Sequence, residues 1–393
     1  MPRVVGPSLL NVVSLLMRPP GQGIPTFSAG KGDGGALLSR HFQEVYPAEL
    51  DTSNPLRATE LWERSVREKL ASAKAVLLGV PLDTGAGIRR GAAYGPRAIR
   101  EALLSLPEYC CWLSSGTLLD LGDIYVNPHL LHDEMLSSEQ IQKCQDAMYA
   151  SADEMLRKSL PVSALSQTQL IIEMLTEEHP HLRIFVLGGD HSIGWPIAEA
   201  MAQKYPTTLG IVQPDAHTDL LPSRLGVKYC FGTWSYHANE RIGRGGKMVQ
   251  LGIRQSGRDQ AYWELTTGVR QYWAHQILDA LNLEPTGKTL IQEIIGHLKL
   301  RGVQHIYFSN DIDGTDESFA PATGTPAPQG VPPQFFKDLI QELGNQFELV
   351  AADLVEVAPD LARSADELQR TCALSAEYTA ACLRAMLKEP KCK

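Results

Sequence analysis

Three short polar clusters of the sequence contain the residue types of a metal site. They are Gly188-Gly189-Asp190-His191-Ser192, Asp215-Ala216-His217-Thr218-Asp219 and Ser309-Asn310-Asp311-Ile312-Asp313-Gly314-Thr315-Asp316. In an extended chain, residues two apart point to the same side, so Asp215, His217 and Asp219 are expected to converge. Asp311 and Asp313 have the same spacing. Four carboxylates in one place need compensation, because like charges raise carboxyl pKa values and a buried unpaired carboxylate is costly.

Divalent metal ions would supply that compensation. A ligand set of carboxylates and imidazoles without thiolate suits Mn²⁺, and it also accepts Ni²⁺, Co²⁺ or Zn²⁺. Six such ligands are too many for one tetrahedral zinc and suit two ions roughly 3.5–4 Å apart. Each cluster by itself is also typical of a turn or a helix cap. Their occurrence together, after three apolar runs, favours a site for two metal ions.

The elements around these clusters alternate between two kinds of apolar pattern. Short runs rich in Val, Ile and Leu predict buried strands at 73–80, 183–187, 208–213, 248–252, 305–309 and 348–352. Longer amphipathic segments predict helices over 96–106, 193–204, 332–343 and 373–387. This alternation predicts an α/β fold with a parallel sheet covered on both faces. In such sheets the ligand site lies outside the carboxyl ends of the strands, where the clusters fall.

Two further segments bear on the domain organisation. Residues 137–178 have a helical composition and predict either two helices or one helix and a loop. Residues 1–72 are expected to form an N-terminal extension and a first helix, which begins at Pro55 with Asn54 as its cap. Residues 73–393 are then the catalytic domain.

The composition excludes several other classes of protein. The 393 residues are 44% hydrophobic, enough for a folded core. A net charge of −9 without a run of Lys or Arg argues against nucleic-acid binding. The seven cysteines show no C-x-x-C spacing, so a disulfide framework or zinc ribbon is not expected and a reducing compartment is. No apolar stretch approaches the length of a membrane span, and we expect a cytoplasmic protein.

In this order, the three clusters resemble the signatures of the ureohydrolase family, which includes arginase, agmatinase and guanidine hydrolase. The segments that are also similar to the family are 79–83, 89–100, 319–326 and 353–359. The resemblance implies a three-layer α/β/α domain with a mainly parallel, eight-stranded sheet. It also implies two divalent metal ions and the hydrolysis of a guanidino group to release urea.

The resemblance further implies roles for individual residues. The implied metal ligands are His191, Asp215, His217, Asp219, Asp311 and Asp313. Glu356 would hold the guanidinium group, Thr325 would contribute to the substrate pocket, and Asp311 would carry a proton to the leaving amine.

The sequence departs from the family pattern at two positions. Phe231 stands where arginases and agmatinases have a histidine, and Glu317 stands where the family usually has proline. His237 lies six residues after Phe231 and is not an evident replacement. Phe231 and Trp234 would add apolar bulk to the substrate pocket, and with Thr84 and the long N-terminal extension they favour the guanidine hydrolase branch.

That branch implies free guanidine as substrate, urea and ammonia as products, and Ni²⁺ as the favoured metal with Mn²⁺ as the alternative. An agmatinase or another guanidino-acid ureohydrolase is the alternative function. A zinc amidohydrolase with one metal and a non-catalytic regulatory relative are more distant alternatives. The expected partners are a small cationic guanidino substrate, other copies of the chain in a trimer or hexamer, and metal-delivery accessory proteins. Neither nucleic acid nor a membrane is expected as a partner.

Overall fold

A nine-stranded sheet forms the centre of the molecule in a computed structural model, which describes residues 8–24, 34–46 and 55–388. The strands are β1 (Met17–Arg18), β2 (Ala75–Val80), β3 (Leu118–Ile124), β4 (Arg183–Gly188), β5 (Leu209–Pro214), β6 (Met248–Ile253), β7 (Arg270–Trp273), β8 (His305–Asp311) and β9 (Glu348–Val355). Their order in the sheet is β1-β3-β2-β4-β9-β8-β5-β6-β7. Only β1 pairs in the antiparallel sense, so eight strands form the predicted parallel sheet and a two-residue strand extends its edge.

Helices cover both faces of the sheet, as the alternating pattern predicts. Within the described residues the helices are α1 (Leu9–Leu16), α2 (Gly34–Val45), α3 (Pro55–Lys69), α4 (Gly95–Leu103), α5 (Pro107–Ser115), α6 (Ser138–Met148), α7 (Glu154–Ser159), α8 (Ala164–Glu178), α9 (Gly194–Lys204), α10 (Trp234–Arg241), α11 (Gln260–Thr267), α12 (Ala274–Leu283), α13 (Lys288–Leu300), α14 (Pro333–Gln346) and α15 (Ala365–Leu387). One apolar core contains α1, α3, α8 and α9, and the other contains α5, α13, α14 and α15. The three-layer α/β/α architecture is confirmed.

All six predicted strands are present, but the apolar pattern does not reveal β3. Asp120, Gly122 and Asp123 interrupt its apolar run, although every residue of the strand is buried. The guanidinium of Arg100 compensates both carboxylates, with its Nε atom 2.8 Å from Asp120 Oδ2 and its Nη1 atom 2.5 Å from Asp123 Oδ1. A buried cation from α4 therefore allows a sequence with two charges to form an interior strand.

The helical segment 137–178 contains three helices, α6 to α8, where one or two were expected. Helix α3 begins at Pro55, as predicted, while the proposed cap Asn54 lies outside the described residues. None of the helices in the described part of the chain combines the length and apolarity that crossing a bilayer requires.

Part of the N-terminal segment packs directly on the main sheet. The carboxylate of Asp123 accepts hydrogen bonds from the N–H groups of Gly21 at 2.9 Å and Gly23 at 3.3 Å. Trp62 of α3 donates from Nε1 to the carbonyl of Leu121. A side chain at Gly23 would meet Asp123 Cβ at 2.6 Å, so only glycine allows this close approach. The domain boundary between residues 72 and 73 stays a prediction.

The strand order places the polar clusters next to one another. β4, β9, β8 and β5 are consecutive neighbours in the sheet, and each ends at the same edge. The residues that follow these strands begin with Gly189, Glu356, Ile312 and Asp215. The sheet therefore brings four distant parts of the sequence to one site at its carboxyl edge.

Candidate metal centre

The ring of His191 lies at the centre of a group of buried carboxylates. Its Nδ1 atom is 3.1 Å from Asp311 Oδ2, 3.3 Å from Asp215 Oδ2 and 3.5 Å from Asp219 Oδ2. His191 begins a single 3₁₀ turn after β4, and Asp190 caps that turn by accepting the N–H of Ser192 at 2.9 Å. The short turn presents the imidazole to the ends of β5 and β8.

A second group of ligands lies beside the first and shares one carboxylate with it. His217 Nδ1 is 3.2 Å from Asp313 Oδ2 and 3.5 Å from Asp215 Oδ1. Asp215 therefore directs one oxygen to His191 and the other to His217. In each of the sets His191–Asp215–Asp219 and Asp215–His217–Asp313, the candidate ligand atoms lie within 4.8 Å of one another. This is the arrangement of two neighbouring cation sites with a shared carboxylate.

The six residues converge through turns rather than through the extended backbone that their spacing suggested. Asp219 has a φ of 50°, outside the extended region. Asp313 lies in a 3₁₀ turn that Asp311 caps, with Asp311 Oδ1 accepting the N–H of Asp313 at 2.9 Å. Asp215 Oδ1 likewise accepts the N–H of His217 at 2.6 Å. The carboxylates thus bind the backbone that carries their neighbours, which fixes the turns.

The pKa shifts show that the carboxylates repel one another when ionised. Burial, reinforced by Asp215, raises the pKa of Asp219 to about 8. Burial and the nearby Asp313 raise the pKa of Asp311 well above its usual value. Burial alone would lower the pKa of His217, but Asp313 and Asp215 outweigh it and raise this pKa to about 12. Two imidazoles are too few cations for four carboxylates, and divalent ions fit the donor set.

A buried hydrogen-bond network fixes the orientation of the His191 ring. His191 Nε2 is 3.0 Å from Ser309 Oγ, which is itself 3.0 Å from Asp353 Oδ2. The hydroxyl of Tyr307 also donates to Asp353. Partners of this kind direct the other ring nitrogen, Nδ1, toward the site. The sequence interpretation gave Asp353 no role, although a charged residue within the apolar run of β9 signals one.

A row of glutamine side chains reaches Asp215 from the edge of the sheet. Gln213 Nε2 donates to Asp215 Oδ2 at 2.7 Å, Gln250 donates to Gln213, and Gln271 donates to Gln250, the last two at 2.8 Å. All three glutamines are fully buried. The side-chain amides hydrogen-bond to one another across β5, β6 and β7. These polar groups therefore have partners although the strands are buried among apolar residues. Recurrent glutamine in buried strands is the signal that the sequence interpretation missed.

Arg254 is a further residue that the sequence interpretation missed. Its guanidinium donates to the backbone carbonyls of Asp313 at 2.6 Å, Thr315 at 3.2 Å and Ala327 at 2.8 Å. These carbonyls belong to the two ends of the segment that contains Thr325. Arg254 therefore holds this segment against the sheet through several directed bonds that a lysine could not reproduce.

Glu356 and Thr325 lie beside the candidate ligands, and their roles in substrate binding stay predictions. Glu356 Oε1 accepts the N–H of His191 at 2.9 Å, and its own N–H donates to Gly189. Burial and the charge of Asp190 raise the pKa of Glu356 well above its usual value. The hydroxyl of Thr325 donates to Asp313 Oδ2 at 2.8 Å.

The three other residues predicted to contact substrate differ in their positions. Phe231 is half-buried, and its ring lies 3.4 Å from the position of a Cβ atom on Gly87. Trp234 is fully buried and donates from Nε1 to Asp219 Oδ2 at 3.2 Å, with its ring centroid 4.6 Å from that of His191. It therefore packs against two of the candidate ligands, and substrate contact by Trp234 stays a prediction. The hydroxyl of Thr84 donates to the carbonyl of Pro128 at 2.8 Å, and substrate contact by Thr84 stays a prediction.

The chain is similar to known proteins over most of its length. A model of the arginase family matches residues 73–384. Mitochondrial agmatinase of Gallus gallus is 29% identical over 80% of this chain and 83% of its own length. Mitochondrial arginase 1 of Arabidopsis thaliana is 32% identical over 74% of this chain and 75% of its own length. Mitochondrial guanidino acid hydrolase of Homo sapiens is 29% identical over 80% of this chain and 79% of its own length.

Solved structures share the same fold. The formimidoylglutamase of Bacillus subtilis is 25% identical and superposes with a TM-score of 0.62, covering 81% of this chain and 88% of its own. The agmatine ureohydrolase of Thermoplasma volcanium is 24% identical with a TM-score of 0.59, covering 82% of this chain and 92% of its own. Because the family model covers most of the chain, this protein belongs to the arginase family.

Proposed function

We propose that the protein hydrolyses a C–N bond of a guanidino compound and releases urea, using two divalent metal ions. The observation that carries this proposal is the position of Asp215, which directs one carboxylate oxygen to each of two ligand groups. Glu356 lies beside the same centre and is the anionic group suited to a guanidinium ion. The family relationship supports the same chemistry.

The donor set determines how the metals would be held. His191 and Asp219 would bind one ion, and His217 and Asp313 the other. Asp215 would contribute to both, and Asp311 lies close enough to His191 to complete the set. When bound, two such ions supply a water molecule whose pKa is lowered to about 7, a nucleophile for a poorly electrophilic guanidinium carbon.

Glu356 positions the substrate in this mechanism. Its Oε1 atom is held by the His191 N–H, and a Cβ atom on Gly324 would lie 3.7 Å from Oε2. We infer that Oε2 accepts hydrogen bonds from the guanidinium and holds its carbon over the ligands. Asp311 is the proposed carrier of the proton to the leaving amine, because its carboxylate lies at the centre, with Oδ2 3.1 Å from His191 Nδ1.

The relatives favour a substrate with a tail. Their names specify agmatinase, guanidino acid hydrolase, arginase and guanidinobutyrase. These names support the alternative function from the sequence over free guanidine as the substrate. A carboxylate-rich ligand set suits Mn²⁺, and we propose Mn²⁺ in preference to Ni²⁺. The trimer or hexamer, the metal-delivery proteins and the cytoplasmic location stay predictions.

A panel of substrates tests the proposed function. The metal-depleted protein is reloaded with Mn²⁺ or with Ni²⁺, and urea release is measured from guanidine, agmatine, arginine and 4-guanidinobutyrate. We expect urea from at least one compound with a tail, about two metal ions per chain, and no activity for the Asp215→Asn variant. One metal per chain with deacetylase activity would favour the amidohydrolase alternative. Metal-loaded protein that releases no urea from any guanidino compound would refute the proposal.

A further inference from the structure

A tight hairpin holds Arg224 at a defined place after the ligand Asp219. The N–H of Arg224 donates to the carbonyl of Val227 and the N–H of Val227 donates to the carbonyl of Arg224, both at 2.9 Å. Leu225 and Gly226 at the tip have φ values of 50° and 84°. Two central residues with positive φ define a type I′ turn, whose twist matches that of the two strands of a hairpin. The position of Arg224 is thus set by backbone geometry.

The guanidinium of Arg224 lies over the ring of Phe231, 4.7 Å from its centroid. Phe231 is connected to the metal centre by a short chain of hydrogen bonds. Its N–H donates to the carbonyl of Gly85 at 3.1 Å, and the N–H of Gly85 donates to Asp190 Oδ2 at 2.9 Å. Asp190 is the residue before His191. Arg224 therefore lies against a residue whose backbone is hydrogen-bonded to the loop beside His191.

Within the described residues, no carboxylate forms an ion pair with Arg224. The side chain is exposed. Lys228, four residues later, contrasts with it, because its Nζ atom lies 2.8 Å from Glu134. An exposed guanidinium on a backbone-defined turn, without an ion-pair partner in the described ranges, is available to an anion.

A second segment, whose backbone lies near Glu356, also carries exposed arginines. Arg89 and Arg90 are exposed and likewise have no ion-pair partner within the described ranges. A Cβ atom on Gly324 would lie 3.3 Å from the carbonyl of Arg89 and 3.7 Å from Glu356 Oε2. The backbone of Arg89 and the carboxylate of Glu356 thus lie on either side of Gly324. The chain as a whole carries a charge of −9, so three unpaired arginines here run against its overall balance.

We propose that the substrate is a guanidino carboxylic acid and that Arg224 binds its carboxylate. This inference rests on the proposed function and names the substrate class of the same site. Glu356 would receive the guanidinium end, and Arg224 the other end, with Phe231 packed against the methylene groups between them. The planar fork of arginine matches a carboxylate in two-point hydrogen bonding. A tail that ends in an amine, as in agmatine, would meet the unpaired guanidinium with a like charge.

Three substrates of similar size, with tails of different charge, test how the charge of the tail affects kcat/KM. The metal-loaded, full-length protein is assayed for urea release with 4-guanidinobutyrate, with agmatine and with n-butylguanidine, whose tail is neutral. We expect the highest kcat/KM for 4-guanidinobutyrate. Arg224→Ala should lower that value about tenfold, mainly through KM, and should change the value for n-butylguanidine by less than about twofold. Arg224→Lys should retain part of the preference, and Arg224→Glu should shift it toward agmatine.

Arg301 offers a matched control. It is an exposed arginine without an ion-pair partner in the described part of the chain. It lies before the start of β8, whereas Asp311 is at the other end of that strand, so Arg301 is remote from the candidate site. Arg301→Ala should leave all three substrates unchanged. If Arg224→Ala lowers activity equally for all three tails, or changes none of them, the inference is wrong while urea release still supports the proposed function. A wild-type preference for agmatine or guanidine would also overturn it. The absence of urea from every substrate would instead refute the proposed function.

Discussion

Removing the metals should make the stability of the protein fall as the pH rises from 5 to 8. Asp219 is the group that determines this behaviour most directly. Its pKa is raised from 3.8 to about 8 in the folded protein by burial and by Asp215. Between pH 3.8 and about pH 8, Asp219 is protonated in the folded state and ionised in the unfolded state. Stability is therefore greatest at low pH and is lost as the pH rises through the folded pKa.

The magnitude follows from proton linkage. One proton bound by the folded state and not by the unfolded state changes the free energy of unfolding by about 1.4 kcal/mol per pH unit. Over three pH units this gives a loss of about 4 kcal/mol. The raised pKa values of Asp311 and His217 act in the same direction, and His217 contributes above its usual value of 6.5. Asp215 has a lowered pKa and affects only the acidic range.

The assay is urea-induced unfolding of the metal-free protein at pH 5, 6, 7 and 8, with and without saturating Mn²⁺. Intrinsic fluorescence of the six tryptophans and circular dichroism both follow the unfolding transition. Because metal ions bind deprotonated ligands, saturating Mn²⁺ should cancel the loss of stability at higher pH. The metal-free Asp219→Asn variant should show a flatter dependence. Metal-free wild-type stability that stays level or rises between pH 5 and 8 would refute this reasoning about uncompensated carboxylates.

Three substitutions separate metal binding from substrate handling. Glu356→Gln should keep both metals, measured by elemental analysis, and lower urea release at least about 100-fold, since a neutral amide cannot pair with guanidinium; near-normal activity would contradict the assigned role. His217→Ala should reduce the metal content by about one ion per chain and leave the site at His191 occupied, so an unchanged stoichiometry would argue against two distinct sites. Ser309→Ala removes the partner of His191 Nε2 and should weaken metal affinity about 10- to 100-fold, as measured by competition with a chelator; the conservative Ser309→Thr should retain more affinity than Ser309→Ala.

The sequence predicts the composition of the metal centre but not its backbone geometry. All six predicted ligands meet because their strands end at one edge of a parallel sheet, a rule that needs only the strand order. The extended alternation assumed for Asp219 and Asp313 is wrong, because turns stabilised by carboxylate–amide hydrogen bonds replace it. Side-chain bonding to nearby N–H groups competes with strand structure and leaves no apolar periodicity to detect.

The supporting residues were harder to predict for a different reason. Arg254 and the buried glutamines act through partners far away in sequence, such as the carbonyl of Ala327 or the neighbouring strand. Trp234 follows Asp219 closely in the sequence, which suggested a place in the substrate pocket. Its side chain is fully buried behind the candidate ligands. Burial and long-range pairing depend on the whole fold, so local spacing does not specify them.

Two buried clusters of carboxylates in the described part of the chain differ in the cations that they meet. Asp120 and Asp123 meet a single guanidinium, Arg100, which bonds both of them. At the carboxyl edge of the sheet, Asp215, Asp219, Asp311 and Asp313 meet imidazoles that are needed as neutral metal ligands. Arg254 lies nearby, but its guanidinium is bound to backbone carbonyls and leaves these carboxylates unpaired. Four carboxylates match the charge of two divalent ions. The fold supplies the Asp120–Asp123 cluster with one shared guanidinium and with the N–H groups of Gly21 and Gly23, and it leaves the other cluster to the two metal ions that we propose, which would also activate water.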